Sequence, residues 1–230
     1  VLDTNVPVPT EWLIYLPLIS LRWPPTPGTP VLQPIDNAEG DGNYSVTWTT
    51  APGAETYVLE EAGDSAFSLT IEAYTGPATN HPVSGKTTGR HYYRVKARNS
   101  WGDSAWSDPQ AADVLWESEP NNQAAEANGA LVSGLFYRGR FPSQADEFDY
   151  YYFDLSAPGP VELWLRDIPS GQDYNLVLRD ANQKVIGYSA WGGSANEHIR
   201  ETVSPGRYYT QVWNYAGNGS TVPYRLQVLH

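Results

Sequence analysis

The stretch Tyr92-Tyr93-Arg94-Val95-Lys96-Ala97-Arg98-Asn99 alternates in polarity residue by residue. A period of two suits a strand with one face buried and does not suit a helix, whose faces repeat every 3.6 residues. Comparable short runs recur over 44–49, 56–61, 67–74 and 111–115, with Gly and Pro punctuating the chain between them. Strands so short and so evenly interrupted predict an all-β fold built as antiparallel sandwiches. At 230 residues the chain is long enough for two tandem β-sandwiches of about 100 residues each. The division expected is an N-terminal segment over 1–23, carrying an apolar strand and leading into a Pro-rich linker, a first sandwich over 24–116 and a second over 117–230.

Residues 12–21 set the N-terminal segment apart. Trp12, Leu13, Ile14, Leu16, Leu18, Ile19 and Leu21 crowd into ten positions without polar alternation. Such a run is too short for a membrane-spanning helix, which needs about 20 apolar residues, and Pro17 further disfavours helix. As a strand it would bury both faces. Each large side chain left in water would forgo about 1.5–3 kcal/mol, so the strand must dock. One dock is a neighbouring copy of the chain, giving a homopolymer by head-to-tail strand donation; the other is the first sandwich of the same chain. The Pro-rich stretch 23–30 reads as a stiff spacer between strand and sandwich.

With no cysteine, the chain has no disulfide staple or thiolate metal site. A net charge of −12 makes it a poor partner for nucleic acid or anionic lipid. The absence of methionine suggests a mature product whose signal peptide has been removed, placing it outside the cell or on its surface. Sequons at Asn43 and Asn218 are compatible with that setting.

Acidic residues cluster twice. Trp116-Glu117-Ser118-Glu119-Pro120-Asn121-Asn122 sits where one β-domain stops and the next starts, and in an extended segment Glu117, Glu119 and Asn121 project the same way. Asp146-Glu147-Phe148-Asp149-Tyr150 precedes a second apolar run. A hard cation such as Ca²⁺ takes six to eight oxygen ligands, and the two clusters together could supply them. The plainer reading is two solvated acidic loops. Catalysis finds little support, since His81, His91, His198 and His230 lie in no recognisable motif for a nucleophile's base or a zinc protease.

The second half, with its Glu-x-Glu-Pro-Asn-Asn opening, Asp146-x-x-Asp149-Tyr150-Tyr151, the run 173–178, Pro205-Gly206-Arg207-Tyr208-Tyr209 and the closing run 224–228, resembles the bacterial pre-peptidase C-terminal domain. The collagen-binding domains of secreted collagenases are relatives of that family. The block around Trp48, Tyr93, Val95 and Gly102-Asp103-Ser104-Ala105-Trp106-Ser107 resembles a fibronectin type III domain. The first resemblance implies calcium held by Glu117, Glu119, Asn121, Asp146 and Asp149. It also suggests a ligand-binding strip of Tyr209, Gln211 and Trp213, which alternate on one strand face opposite Tyr208, Thr210 and Val212; a face that merely packs is the other reading. The function expected is a non-catalytic extracellular structural or adhesive protein, assembling by donation of its N-terminal strand and binding an extracellular protein or polysaccharide. The alternative is an accessory substrate-binding or secretion module derived from a secreted hydrolase.

Overall fold

The computed structural model describes residues 25–230, and the apolar run 12–21 lies outside them. The first body comprises β1 (Tyr44–Thr47), β2 (Thr56–Ala62), β3 (Thr70–Gly76), β4 (Asn80–Val83), β5 (Gly89–Asn99), β6 (Gly102–Asp103) and β7 (Gln110–Val114). Antiparallel β1 and β4 form one layer, extended by a bridge from Leu32 to Trp48. The other layer runs β3-β2-β5-β6, with β7 also paired to β5. The alternation in β5 sends Tyr93, Val95 and Ala97 fully inward, where they meet Val46, Trp48, Leu59 and Val114. A strand starting at residue 67 is not formed. Phe67 adopts φ 55° in a turn organised by Asp64, whose carboxylate accepts the amides of Ala66 and Ser68, and β3 begins only at Thr70.

The spacer expectation also needs correcting for the part described. Residues 25–30 lie along the first sandwich: Asn99 Nδ2 donates to Pro25 O at 3.1 Å, Gly28 N donates to Pro52 O at 2.9 Å, and Pro27 and Pro30 are buried. Prolines that present ring surface rather than amide donors can pack there at little polar cost.

The second body holds β8 (Phe136–Gly139), β9 (Phe148–Leu155), β10 (Gly159–Arg166), β11 (Asp173–Arg179), β12 (Val185–Ser189), β13 (Glu197–Val203), β14 (Gly206–Ala216) and β15 (Tyr224–Leu229). These form two four-stranded antiparallel sheets, β13-β10-β15-β8 and β12-β11-β14-β9. Their facing sides enclose an aromatic-rich core that includes Tyr137, Phe141, Phe153, Leu163, Leu176, Val212 and Leu226. Truncating such a residue to alanine, as in Leu163→Ala, should destabilise by about 2–5 kcal/mol through lost transfer energy and a residual cavity. Among the described residues no helix is long and apolar enough to cross a membrane.

The connection between the bodies is built into the second one. Trp116 pairs in parallel with Arg138 of β8, and Asn128 with Tyr151 of β9. The segment between them thus covers an edge of each sheet, satisfying strand groups that would otherwise be unpaired. The first body reaches the same segment. Leu115 N donates to Gly40 O at 2.6 Å, Thr88 N donates to Ser118 Oγ at 3.1 Å, and Thr88 Oγ1 lies 2.5 Å from both Trp116 O and Asn128 Oδ1. Gly89, at φ 134°, backs onto Gly129, where a Cβ would come within 2.9 Å of the Gly129 carbonyl oxygen.

Candidate metal centre

Period two determines what happens to Asp149. It shares a face of β9 with Tyr151 and Phe153, so the strand that buries those rings also buries the carboxylate, while Glu147, of the same parity, lies just before the strand and stays exposed. The extended segment after Trp116 brings Glu117 and Glu119 over it. One ligand oxygen from each of Glu117, Glu119 and Asp149 lies within 4.8 Å of the others, a group that could hold a metal ion. Gly139 makes the approach possible, because a Cβ there would collide with both the Glu117 carboxylate and the Tyr224 hydroxyl.

Asn121 is fully buried beside them. With its amide nitrogen turned inward it donates to Asp149 Oδ1 and to Glu119 Oε2, each at 3.1 Å. Asn122, similarly turned, donates to Phe148 O at 3.0 Å and to Asp146 Oδ1 at 3.1 Å. With the opposite amide orientation each asparagine would aim oxygen at oxygen, an arrangement that a bound cation would reconcile. Asp146 is therefore held at the margin through Asn122, outside the three carboxylates that converge most closely. Every side-chain donor here is a hard oxygen, with no nitrogen or sulfur ligand among them, which fits Ca²⁺ or another hard cation better than a soft transition metal.

Sequence reasoning missed the polar chain beneath the cluster. Glu117 Oε1 accepts from Arg140 N at 2.6 Å, and Glu117 Oε2 from the Tyr151 hydroxyl at 3.0 Å. The Tyr151 and Tyr224 hydroxyls are 2.8 Å apart, and Tyr224 is in close contact with Asp149 Oδ2. Three successive oxygen contacts need three protons, while two hydroxyls supply two. The third must come from a carboxyl group. Burial, followed by the charge of Glu117, pushes the Asp149 carboxyl well above its ordinary range, so Asp149 is the natural holder of that proton in metal-free protein. Burial also lifts Glu117 to about 7 and Asp146 to about 6, and it raises Glu119. The signal for Tyr151 was present in the sequence, two positions after Asp149. Tyr224, 75 residues away from that aspartate, carried no such mark.

The cluster borders a cleft of about 510 Å³ lined by Asp41, Trp116, Glu117, Glu119 and Arg140, so both bodies contribute to its wall.

The strip on β14 lies on the outer face of the same sheet whose inner face carries Asp149. Tyr208 and Val212 face inward, whereas Tyr209 and Trp213 are half-buried on the outer face. Gln211 is only 3% exposed, because Arg179 covers it and donates to its Oε1 at 2.9 and 2.8 Å. Gln211 consequently holds Arg179 in place rather than offering its own amide. Phe148 and Tyr215 extend the aromatic row, with ring centroids 6.0 and 5.2 Å from Trp213. Beside it is a cleft of about 270 Å³ lined by residues that include Val177, Val185 and Tyr188.

No protein-family model matches the chain. Over 116 residues it is 32% identical to Collagenase ColA of Clostridium perfringens, a match covering 50% of this chain and 10% of that protein. The chain thus corresponds to a small part of that relative's length. Solved structures similar to it include the pre-peptidase C-terminal domain of a collagenase from Bacillus anthracis, at 22% identity and TM-score 0.34, covering 42% of this chain and 89% of that one. They also include an Fn3-like protein from Clostridium thermocellum, at 24% identity and TM-score 0.31, covering 38% and 90%, and the domain FN3tt, at 17% and 0.33, covering 39% and 95%.

Proposed function

We propose that this chain is a non-catalytic accessory module of an extracellular protein, holding a fibrous substrate on the outer face of the β12-β11-β14-β9 sheet. The observation that carries the reading is the outward aromatic row of Phe148, Trp213 and Tyr215 beside an open cleft, with Arg179 held among them by Gln211. Rigid aromatic surface presents large contact area at small entropic loss, which suits a ligand with a repeating, extended shape. The 32% identity to part of a collagenase makes a collagen-like protein the substrate class to test first.

Glu117, Glu119, Asn121, Asp146 and Asp149 would hold a calcium ion in this reading. The ion would supply positive charge that offsets the repulsion among these converging carboxylates. Because the segment bearing Glu117 and Glu119 also receives Thr88 of the first sandwich, holding that segment still would stiffen the joint between the two bodies.

Cosedimentation with type I collagen fibrils in calcium tests the reading. The intact chain should pellet with the fibrils, and Trp213→Ala should bind about tenfold more weakly, as expected when a central aromatic contact is removed. An intact chain that stays in the supernatant, or a variant that binds unchanged, would overturn it.

A second reading, assembly by strand donation from residues 12–21, is favoured by the outer edge of β3. Among the described residues nothing pairs with that edge, and Leu69 and Ile71 beside it are 85% and 67% exposed. A long unpaired edge with apolar side chains is a ready acceptor for another strand. If copies of the chain join in this way, deleting residues 1–23 should abolish filaments seen by negative-stain imaging, and Leu16→Asp should nearly do so. An intact chain that remains monomeric would end this reading.

A further inference from the structure

The remaining broad face of the second sandwich, the outer side of the β13-β10-β15-β8 sheet, has a charge pattern opposite to that of the protein as a whole. Register aligns Arg138 of β8 with Arg225 of β15, and Arg225 with Arg166 of β10, so three arginines are rooted side by side across three strands. Like charges directly opposite one another in a sheet are destabilising. In a chain of net charge −12, acidic partners for them are surprisingly few. Arg225 pairs closely with Asp167. Arg138 spends its charge on the Trp116 ring and the Glu39 carbonyl, while Arg166 Nε is buried with no hydrogen-bond partner among the described residues.

The next row in register is aromatic. Phe136 lies opposite Gln227, Gln227 opposite Trp164, and Trp164 opposite His198. Trp164 and His198 stack with centroids 3.8 Å apart at 16°, so each ring covers one face of the other and the pair is held rigid. Arg166 lies over the Trp164 ring at 4.6 Å and Arg225 over Phe136 at 5.1 Å, tying the two rows together.

We propose that this face binds an acidic polysaccharide. Sugar carboxylates would meet the guanidinium row, whose forked donors match a carboxylate in two-point contact. The sugar rings would pack along the outward edges of the neighbouring aromatic row. Strands about 4.8 Å apart root the arginines at closely repeated intervals, within reach of a polymer carrying charge on successive or alternate sugars. Salt screens the negative charge of the rest of the molecule beyond about 8–10 Å and leaves the local face in control.

The test is affinity electrophoresis of the full chain through gels containing hyaluronate, with neutral dextran and oligo(dT) as comparison polymers. Hyaluronate should retard the intact chain and dextran should not. Arg166→Gln and Arg225→Gln should each weaken retardation about tenfold, the scale of one charge-assisted contact. Asp167→Asn, which frees Arg225, should strengthen it. Arg207→Gln, in an exposed ion pair with Asp154 on the opposite sheet, should leave it unchanged. The proposal is overturned if the intact chain ignores hyaluronate, if oligo(dT) binds as tightly, if Arg207→Gln matches the other arginine variants, or if Asp167→Asn fails to tighten binding. That last variant adds no charge to a buried site, so its outcome stays readable even where an arginine variant folds poorly.

Discussion

Glu117→Gln should invert the order of stability with and without a cation. The carboxyl group is half-buried, its two oxygens accept from Arg140 N and the Tyr151 hydroxyl, and its neighbours Glu119 and Asp149 are acidic. Burial lifts it from 4.5 to about 7. At pH 8 in chelator it is nevertheless ionised, and a displacement of that size corresponds to about 3 kcal/mol of unfavourable environment for the charged form. Glutamine keeps an oxygen for Arg140 N and removes the charge. Metal-free variant should therefore melt higher than metal-free parent, by on the order of 10 °C for a sandwich of this size. With calcium the order reverses, because the parent gains about 4 kcal/mol at a thousandfold excess over its dissociation constant, whereas the variant lacks a central ligand. Differential scanning calorimetry of both proteins at pH 8, in chelator and in calcium, gives the four melting temperatures needed. A variant no more stable than the parent in chelator would refute the electrostatic argument, and equal calcium shifts in the two proteins would refute the assignment of Glu117 as a ligand.

The raised carboxyls also predict how stability varies with pH. Between about pH 4.5 and 7 the folded, metal-free chain holds protons on Glu117 and Asp149 that the unfolded chain has released, so its stability should fall as pH rises through that window and recover on acidification; melts in chelator that decline steadily from pH 7 to pH 5 would contradict this. Calcium must displace the third proton of the oxygen chain, so its affinity should strengthen from pH 5 to pH 8 with measurable proton release; calorimetric titrations in buffers of different ionisation enthalpy should differ accordingly, and identical heats would count against the exchange. Asn128→Ala should loosen the joint between the sandwiches, since Asn128 bonds Ser118 N at 2.6 Å and Ser118 O at 2.9 Å while receiving Thr88. Leaving those groups unpaired should cost about 1–3 kcal/mol, and spin labels on the two bodies should report a broader distance distribution; an unchanged distribution would mean that the hinge is held elsewhere.

Local alternation in the sequence determined most of the layer structure. Tyr93, Val95 and Ala97 face inward because every second residue of a strand must, and Tyr208 and Val212 do so for the same reason. The two acidic clusters were legible as oxygen-rich stretches, and Pro120 marked the first as extended. Turn chemistry at Asp64 was harder to read, since an Asx turn competes locally with a strand whose apolar pattern continues through it. What depended on tertiary structure were relations between distant strands. Tyr224 closes the polar chain under Asp149 only because β15 and β9 face one another across the core, and Gln211 becomes a buried prop only because β11 brings Arg179 over it. The arginine row likewise arises from the pairing of β8, β15 and β10, three strands far apart in the chain. A period of two states which face a side chain takes; it does not state which strand lies beside it, because that is settled by the packing of the two sheets around their shared aromatic core.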